Sequence, residues 1–184
     1  MAFDSLDYLS DYYNNGQYPK IHNNIMEVLK ELPPMSVMDI GCCTGLLSKR
    51  LSEVHTEVIG IEPNPKYIQI GVKSDNIKYY NIGVNKETLP VLKELIKMHN
   101  IKCCVMRRCL PEICNTGGIS LCVQWIYLLY KLNVEYLAIE GRVVSKRASN
   151  ALYSIEKEVE LCLGMYDVIK SYRACRLLKI QKHE

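Results

Sequence analysis

No stretch of this chain is apolar for long enough to cross a membrane. The longest candidate, around Leu121 to Tyr130, is interrupted by Gln124 and falls far short of the roughly 20 residues a span needs. The first residues, from Met1 to Asp7, are acidic and lack the basic and apolar regions of a secretory leader, so a cytoplasmic location is expected. Nine cysteines are present, yet Cys103, Cys104, Cys109 and Cys114 lack the paired C-x-x-C spacing of a zinc site. Free thiols and no metal are therefore expected, with cysteines such as Cys122 and Cys162 filling small apolar positions on helix faces. Internal repeats and low-complexity segments are missing as well. The net charge of +3 is too small to argue for nucleic acid, but it is unevenly spread. Residues 101–184 carry 13 Lys and Arg against 8 Asp and Glu, leaving 10 against 12 in residues 1–100. That basic half points toward an anionic partner.

What the chain does have is a strand, a glycine turn and a helix in immediate succession. The apolar run from Val37 ends in Asp39 and Ile40, turns through Gly41 and Gly45, and enters the helical pattern Leu46, Leu47, Leu51, Val54. Glycines let a backbone turn sharply and come close to a ligand, and the N–H groups of a helix start point into the same space. A dinucleotide site requires G-x-G-x-x-G around a pyrophosphate. Here the spacing is Asp39-x-Gly41-x-Cys43-x-Gly45, and a carboxylate at the strand end suits an ammonium group better than a pyrophosphate. On these residues the chain resembles the class I S-adenosylmethionine-dependent methyltransferases, whose first motif is an acid followed by alternating glycines. Cys43 stands where that pattern has its middle glycine.

The resemblance implies a Rossmann-like, three-layer α/β sandwich. Its sheet would be seven-stranded and mostly parallel with an antiparallel last strand, helices on both faces and an extra N-terminal helix. It also implies an N-terminal helical cap segment over residues 1–34 and an S-adenosylmethionine-binding methyltransferase domain over 35–184. Asp39 would orient the amino acid end of the cofactor, with Gly41, Cys43 and Gly45 around it. Glu62 would accept both ribose hydroxyls, a bidentate match for a carboxylate. Asn81 would meet the adenine edge.

The remaining pattern follows the same order. Pro19 opens a helix with Ile21, Ile25, Val28, Leu29 and Leu32 on one face, and Tyr12, Tyr13, Tyr18 and His22 are expected near the pocket mouth or against the sheet. Strands are expected at 36–40, 57–62, 77–82, 101–106 and 134–139, with helices near 46–53, 66–72 and 88–99 between them. Residues 115–118 read as a loop, and the helix after them carries Ile119, Val123, Ile126, Tyr127 and Tyr130 on one stripe. Trp125 reads as core or rim. A helix at 151–163 and two closing strands, 166–172 and 174–180, complete the chain.

Ligands of open α/β sheets sit beyond the carboxyl ends of the strands, so the residues after strand four face the acceptor. Neither the Asp/Asn-Pro-Pro-aromatic motif of amino-group methylation nor a Pro-Cys nucleophile is present there. Arg107 and Arg108 suit either an anionic substrate group or an ion pair with Glu112 or Glu140, and Arg142, Lys146 and Arg147 extend the basic edge. Glu112 and Glu140 are candidates for a catalytic base on position alone. The expected activity is methyl transfer from S-adenosylmethionine to an unidentified acceptor, with the basic edge favouring a nucleotide, RNA or a phosphorylated group. The alternatives are a methyltransferase-like binding protein without turnover and an enzyme that cleaves S-adenosylmethionine.

Overall fold

The structure is a computed structural model that describes residues 18–141, 152 and 154–181. Helix α1 (Tyr18–Leu29) precedes β1 (Ser36–Ile40), α2 (Leu46–Ser52), β2 (Glu57–Ile61), α3 (Pro65–Gln69) and β3 (Ile77–Tyr80). The chain continues through α4 (Leu89–Met98), β4 (Cys103–Arg107), α5 (Leu110–Lys131), β5 (Tyr136–Glu140), α6 (Ile155–Glu160), β6 (Tyr166–Tyr172) and β7 (Cys175–Ile180). The strands form one sheet in the order β3-β2-β1-β4-β5-β7-β6. Every neighbouring pair is parallel except β5 with β7 and β7 with β6, so β7 alone runs against the rest.

The first five strands are short continuous apolar runs because both of their faces are covered. On one face Met38, Ile40, Ile59 and Ile61 meet Leu92 and Ile96 of α4 and Leu121, Trp125 and Ile126 of α5. On the other, Val37, Val58, Cys103 and Val105 meet Ile25, Val28 and Leu29 of α1 and Leu47 and Leu51 of α2. Helix α1 therefore belongs to a layer of the sandwich, through the stripe that its sequence predicts. Trp125 is fully buried, and Cys103, Cys104, Cys122 and Cys162 are buried as small apolar residues.

Three details differ from expectation. Val54 continues the apolar pattern of α2 but lies beyond its end and is exposed. Residues 110–116 are helical, and only Gly117 and Gly118 depart from helical geometry, as a kink inside α5. The buried side of α5 is Leu121, Cys122, Trp125, Ile126 and Leu129, whereas Ile119, Val123 and Tyr127 face outward. Apolar residues surround this helix, so periodicity alone did not settle which side meets the sheet.

Order reverses between β1 and β4, which pair with each other in the middle of the sheet and send their connections to opposite sides. The carboxyl ends of these strands therefore diverge and leave a crevice, the position at which doubly wound sheets bind ligands.

Candidate active site

Three left-handed residues alternate through the turn after β1: Gly41 (φ 70°), Cys43 (φ 53°) and Gly45 (φ 78°). Glycine adopts this conformation freely, whereas for Cys43 it costs on the order of 1–2 kcal/mol. The neighbouring strand holds the turn in place. Ile61 O accepts from the N–H groups of Gly41 (2.8 Å) and Cys42 (3.1 Å), and Gly45 N–H donates to Cys42 O (2.9 Å). Glu62 Oε2 accepts from Cys43 N–H and Glu62 Oε1 from Asn64 N–H, both at 2.9 Å. The amides of the turn are thus largely engaged by the end of β2.

Asp39 is buried in β1, one residue before its end, and Ser48 Oγ of α2 donates to its Oδ2 at 2.7 Å. Burial pushes the carboxyl up to about 7, against the Ser48 bond and the charge of Arg107, while the charge of Glu62 adds to the rise. Burial likewise raises Glu62, opposed by the two backbone N–H bonds it accepts. The Cys43 thiol is half-buried and pushed up to about 12, chiefly by desolvation, so it is a neutral lining group. Gly41 and Gly45 differ in what surrounds them. A Cβ on Gly41 would meet only Cys109 Cβ, at 3.5 Å, whereas one on Gly45 would collide with the Tyr79 hydroxyl. That hydroxyl donates to Val72 O at 2.7 Å. Gly45 is therefore required by its φ and by Tyr79.

Asn81 follows β3, is exposed, and donates through Nδ2 to the backbone oxygen of Glu62 at 2.9 Å. Asp39, Gly41, Cys43, Gly45, Glu62 and Asn81 are thus gathered around the carboxyl ends of β1, β2 and β3.

A second cluster occupies the ends of β4 and β5. Glu140 is buried and forms ion pairs with Arg107 Nε (2.6 Å) and Arg108 Nη2 (3.2 Å). Arg108 N–H also donates to Glu140 O at 2.7 Å, in a left-handed conformation (φ 55°). Of the two roles left open for these arginines, the ion pair with Glu140 is the one observed. Glu112 stands apart, exposed in the first turn of α5, where a negative charge suits the helix N-terminus. Arg142, Lys146, Arg147, Tyr12 and Tyr13 lie outside the described residues. His22 of α1 is buried beside this cluster. Desolvation, then Arg107 and Arg50, hold its imidazole down to about 3, so it is neutral.

Sequence reading missed Ser48, Tyr79 and Glu158. Ser48 carries a weak signal, a hydroxyl on the helix that follows the acid-ended strand. Glu158 is buried beneath Gly141, whose Cβ position lies 2.6 Å from Glu158 Oε1, and an acid on a short helix carries no such signal.

This sheet order, with one reversed strand, is the class I methyltransferase fold. Among solved structures, the N-methyltransferase NodS from Bradyrhizobium japonicum, in complex with S-adenosyl-L-homocysteine, superposes with a TM-score of 0.69 at 14% identity. The match covers 100% of this chain and 94% of that one. A methyltransferase from Leishmania major described as SAM-dependent gives 0.64 at 13% identity, covering 96% and 81%. WbdD gives 0.59 at 16% identity, covering 91% of this chain and 41% of its own. At these identities the likeness is one of fold. Comparison with protein-family models and with curated proteins gives no match.

Proposed function

We propose that this chain binds S-adenosylmethionine at the carboxyl ends of β1 and β2 and transfers its methyl group to an acceptor lying over β4 and β5. In this reading residues 1–34 are the cap segment and 35–184 the cofactor-binding domain. The observation that carries it is the pair of buried carboxylates, Asp39 and Glu62, on adjacent strand ends beside one glycine turn. Two acids there suit an ammonium group and a ribose diol and repel a pyrophosphate. Each Glu62 oxygen accepts one backbone N–H and retains a second acceptor position, which two hydroxyls could fill.

When bound, the cofactor supplies an activated sulfonium methyl, so the task left to the chain is alignment and exclusion of water. Asp39, held by Ser48, orients the amino acid end. The open side of Gly41 admits close approach of a ligand, and Cys43 narrows the entrance. Asn81, anchored to the Glu62 carbonyl, offers its amide to the adenine edge. At the acceptor end, Arg107 and Arg108 face one carboxylate, which leaves a net positive charge and favours an anionic acceptor such as a nucleotide, RNA or a phosphorylated group. Arg142 would extend that edge.

A second reading, a binding protein without turnover, draws on the same cluster. Both carboxylate oxygens of Glu140 are engaged by arginines, and Glu112 is exposed on the helix. Parallel calorimetric titrations with S-adenosylmethionine, S-adenosylhomocysteine and NAD test the cofactor. The proposal expects binding of the first two and none of NAD; no binding of either overturns it. Mass detection of S-adenosylhomocysteine formed with cell extract then separates transfer from binding alone.

A further inference from the structure

A cavity of about 390 Å³ lies between α1 and the end of α2. Two of its lining residues, Leu32 and His55, precede β1 and β2, so it lies toward the amino ends of these strands, away from the glycine turn. Its volume is in the range of ligand pockets and holds about a dozen water-sized groups. Asn23, Met26, Glu27 and Lys30 form one stripe of α1 along it, at i, i+3, i+4 and i+7, and Arg50, Val54 and His55 line the other side. His55 is 5% exposed, and neither of its ring nitrogens has a hydrogen-bond partner among the described residues. Its main chain is fixed, with N–H donating to Leu51 O at 2.9 Å and O accepting from Asn76 Nδ2 at 3.3 Å, which keeps the ring in the wall. Desolvation lowers its pKa, so the imidazole is neutral and offers one N–H donor and one acceptor. A buried polar group without a partner is destabilising, so this ring gains from any ligand that bonds it.

We propose that this cavity binds a medium-chain aliphatic carboxylate, with its chain along α1 and its head group between Arg50 and His55. The lining selects that chemistry. Its charged residues are two bases, Lys30 and Arg50, and one acid, Glu27, which leaves a positive excess. Lys30 Nζ pairs with Glu27 Oε1 at 2.6 Å, so the excess falls at Arg50. The next acid along the chain, Glu31, is held by Lys170 of β6 at 2.9 Å. A carboxylate matches the planar fork of a guanidinium and accepts an imidazole N–H as well. Met26, Leu29, Leu32 and Val54 supply the apolar lining that an aliphatic chain covers. Each simpler ligand fails on one of these features. An inorganic anion leaves the apolar residues uncovered, a neutral chain leaves the positive charge unanswered, and an amine is repelled by it. The cavity lies on the far side of the strands from the cofactor corner, so its ligand is independent of the one proposed there.

The test is calorimetric titration of the full chain with octanoate, octanol and octylamine, for the parent, Arg50→Gln, His55→Phe and Val54→Trp. We expect octanoate to bind the parent with a dissociation constant on the order of 0.1–1 mM, and octanol and octylamine to bind about tenfold more weakly. Arg50→Gln removes the preference for the acid. Val54→Trp, which fills the cavity from its exposed rim, abolishes octanoate binding. His55→Phe keeps a ring without its nitrogens, so octanoate affinity falls about fivefold while the urea midpoint holds or rises, a combination that a packing role alone does not produce. Urea unfolding checks each variant. Val54 is exposed, so Val54→Trp stays folded and decides the site even where Arg50→Gln does not fold. A parent chain that binds no octanoate up to about 10 mM overturns the proposal. So does octanoate binding that Val54→Trp leaves unchanged. Equal affinity for octanol would make the cavity a purely apolar slot, and a preference for octylamine would make Glu27 its recognition group; either result overturns the carboxylate assignment.

Discussion

The carboxylate of Glu62 accepts the backbone N–H of Cys43 at 2.9 Å, across 19 residues of sequence. The acid at the end of the second strand thereby closes the turn after the first. Cys43 is held there with φ at 53°, in a region where a side chain is strained.

That strain predicts the effect of restoring the missing glycine. Cys43→Gly relieves about 1–2 kcal/mol of left-handed strain and gives back about half of it through the freer unfolded chain. Its urea midpoint should match or exceed that of the parent, whereas Cys43→Val, β-branched at positive φ, should lose more than about 2 kcal/mol. A clear loss of stability in Cys43→Gly would show that the thiol contributes more than its conformation costs.

Asp39 makes stability fall as pH rises. Its folded value of about 7 lies above the ordinary 3.8, so between those values the native state keeps a proton that the unfolded state releases. The resulting penalty is absent below pH 3.8, grows through the window, and is complete above pH 7. Its size is on the order of 4 kcal/mol at most. Asp39→Asn keeps an acceptor for Ser48 without the charge, so its stability advantage over the parent should be larger at pH 8 than at pH 4. Urea titrations at the two pH values measure it, and equal gaps would mean that Asp39 titrates normally. If the ligand is a cation at this site, its affinity for the parent should strengthen as pH passes 7 and fall in Asp39→Asn.

The ion-pair cluster predicts unequal costs for two adjacent arginines. Arg107 is 11% exposed against a carboxylate that is 2% exposed, so Arg107→Ala leaves a buried charge short of its nearer partner and should cost about 3–5 kcal/mol. Arg108, at 35%, should cost about 1 kcal/mol or less on the same substitution. Adding Glu140→Gln to Arg107→Ala should recover part of the loss. Denaturant unfolding of the parent, Arg107→Ala, Glu140→Gln and their double variant completes the cycle, with Arg108→Ala measured beside them, and equal costs for both arginines would contradict the geometry.

Gly45 should tolerate no side chain. Gly45→Ala meets both a left-handed φ and the Tyr79 hydroxyl, and should cost more than about 2 kcal/mol. Tyr79→Phe removes the clashing oxygen, so in the double variant the costs should fall short of their sum by roughly 0.5–3 kcal/mol. Strict additivity would mean that backbone strain alone excludes alanine.

Much of this molecule is determined by local sequence. Strands β1 and β2 follow from apolar runs too short for helices, and the turn from Gly41 and Gly45, because positive φ is nearly a glycine property. The burial of Ile25, Val28 and Leu29 follows from helical spacing. The acids Asp39 and Glu62 are legible because they end strands at a crevice. Only the tertiary structure decided which side of α5 is inside, since a helix that is apolar all round carries no phase information. It alone brought Ser48 to Asp39, turned Arg107 and Arg108 toward Glu140, and set Tyr79 in the space beside Gly45. Those contacts join residues 9 to 34 positions apart on different elements, and pairing at that distance is fixed by strand register and layer order, not by any pattern that a single segment contains.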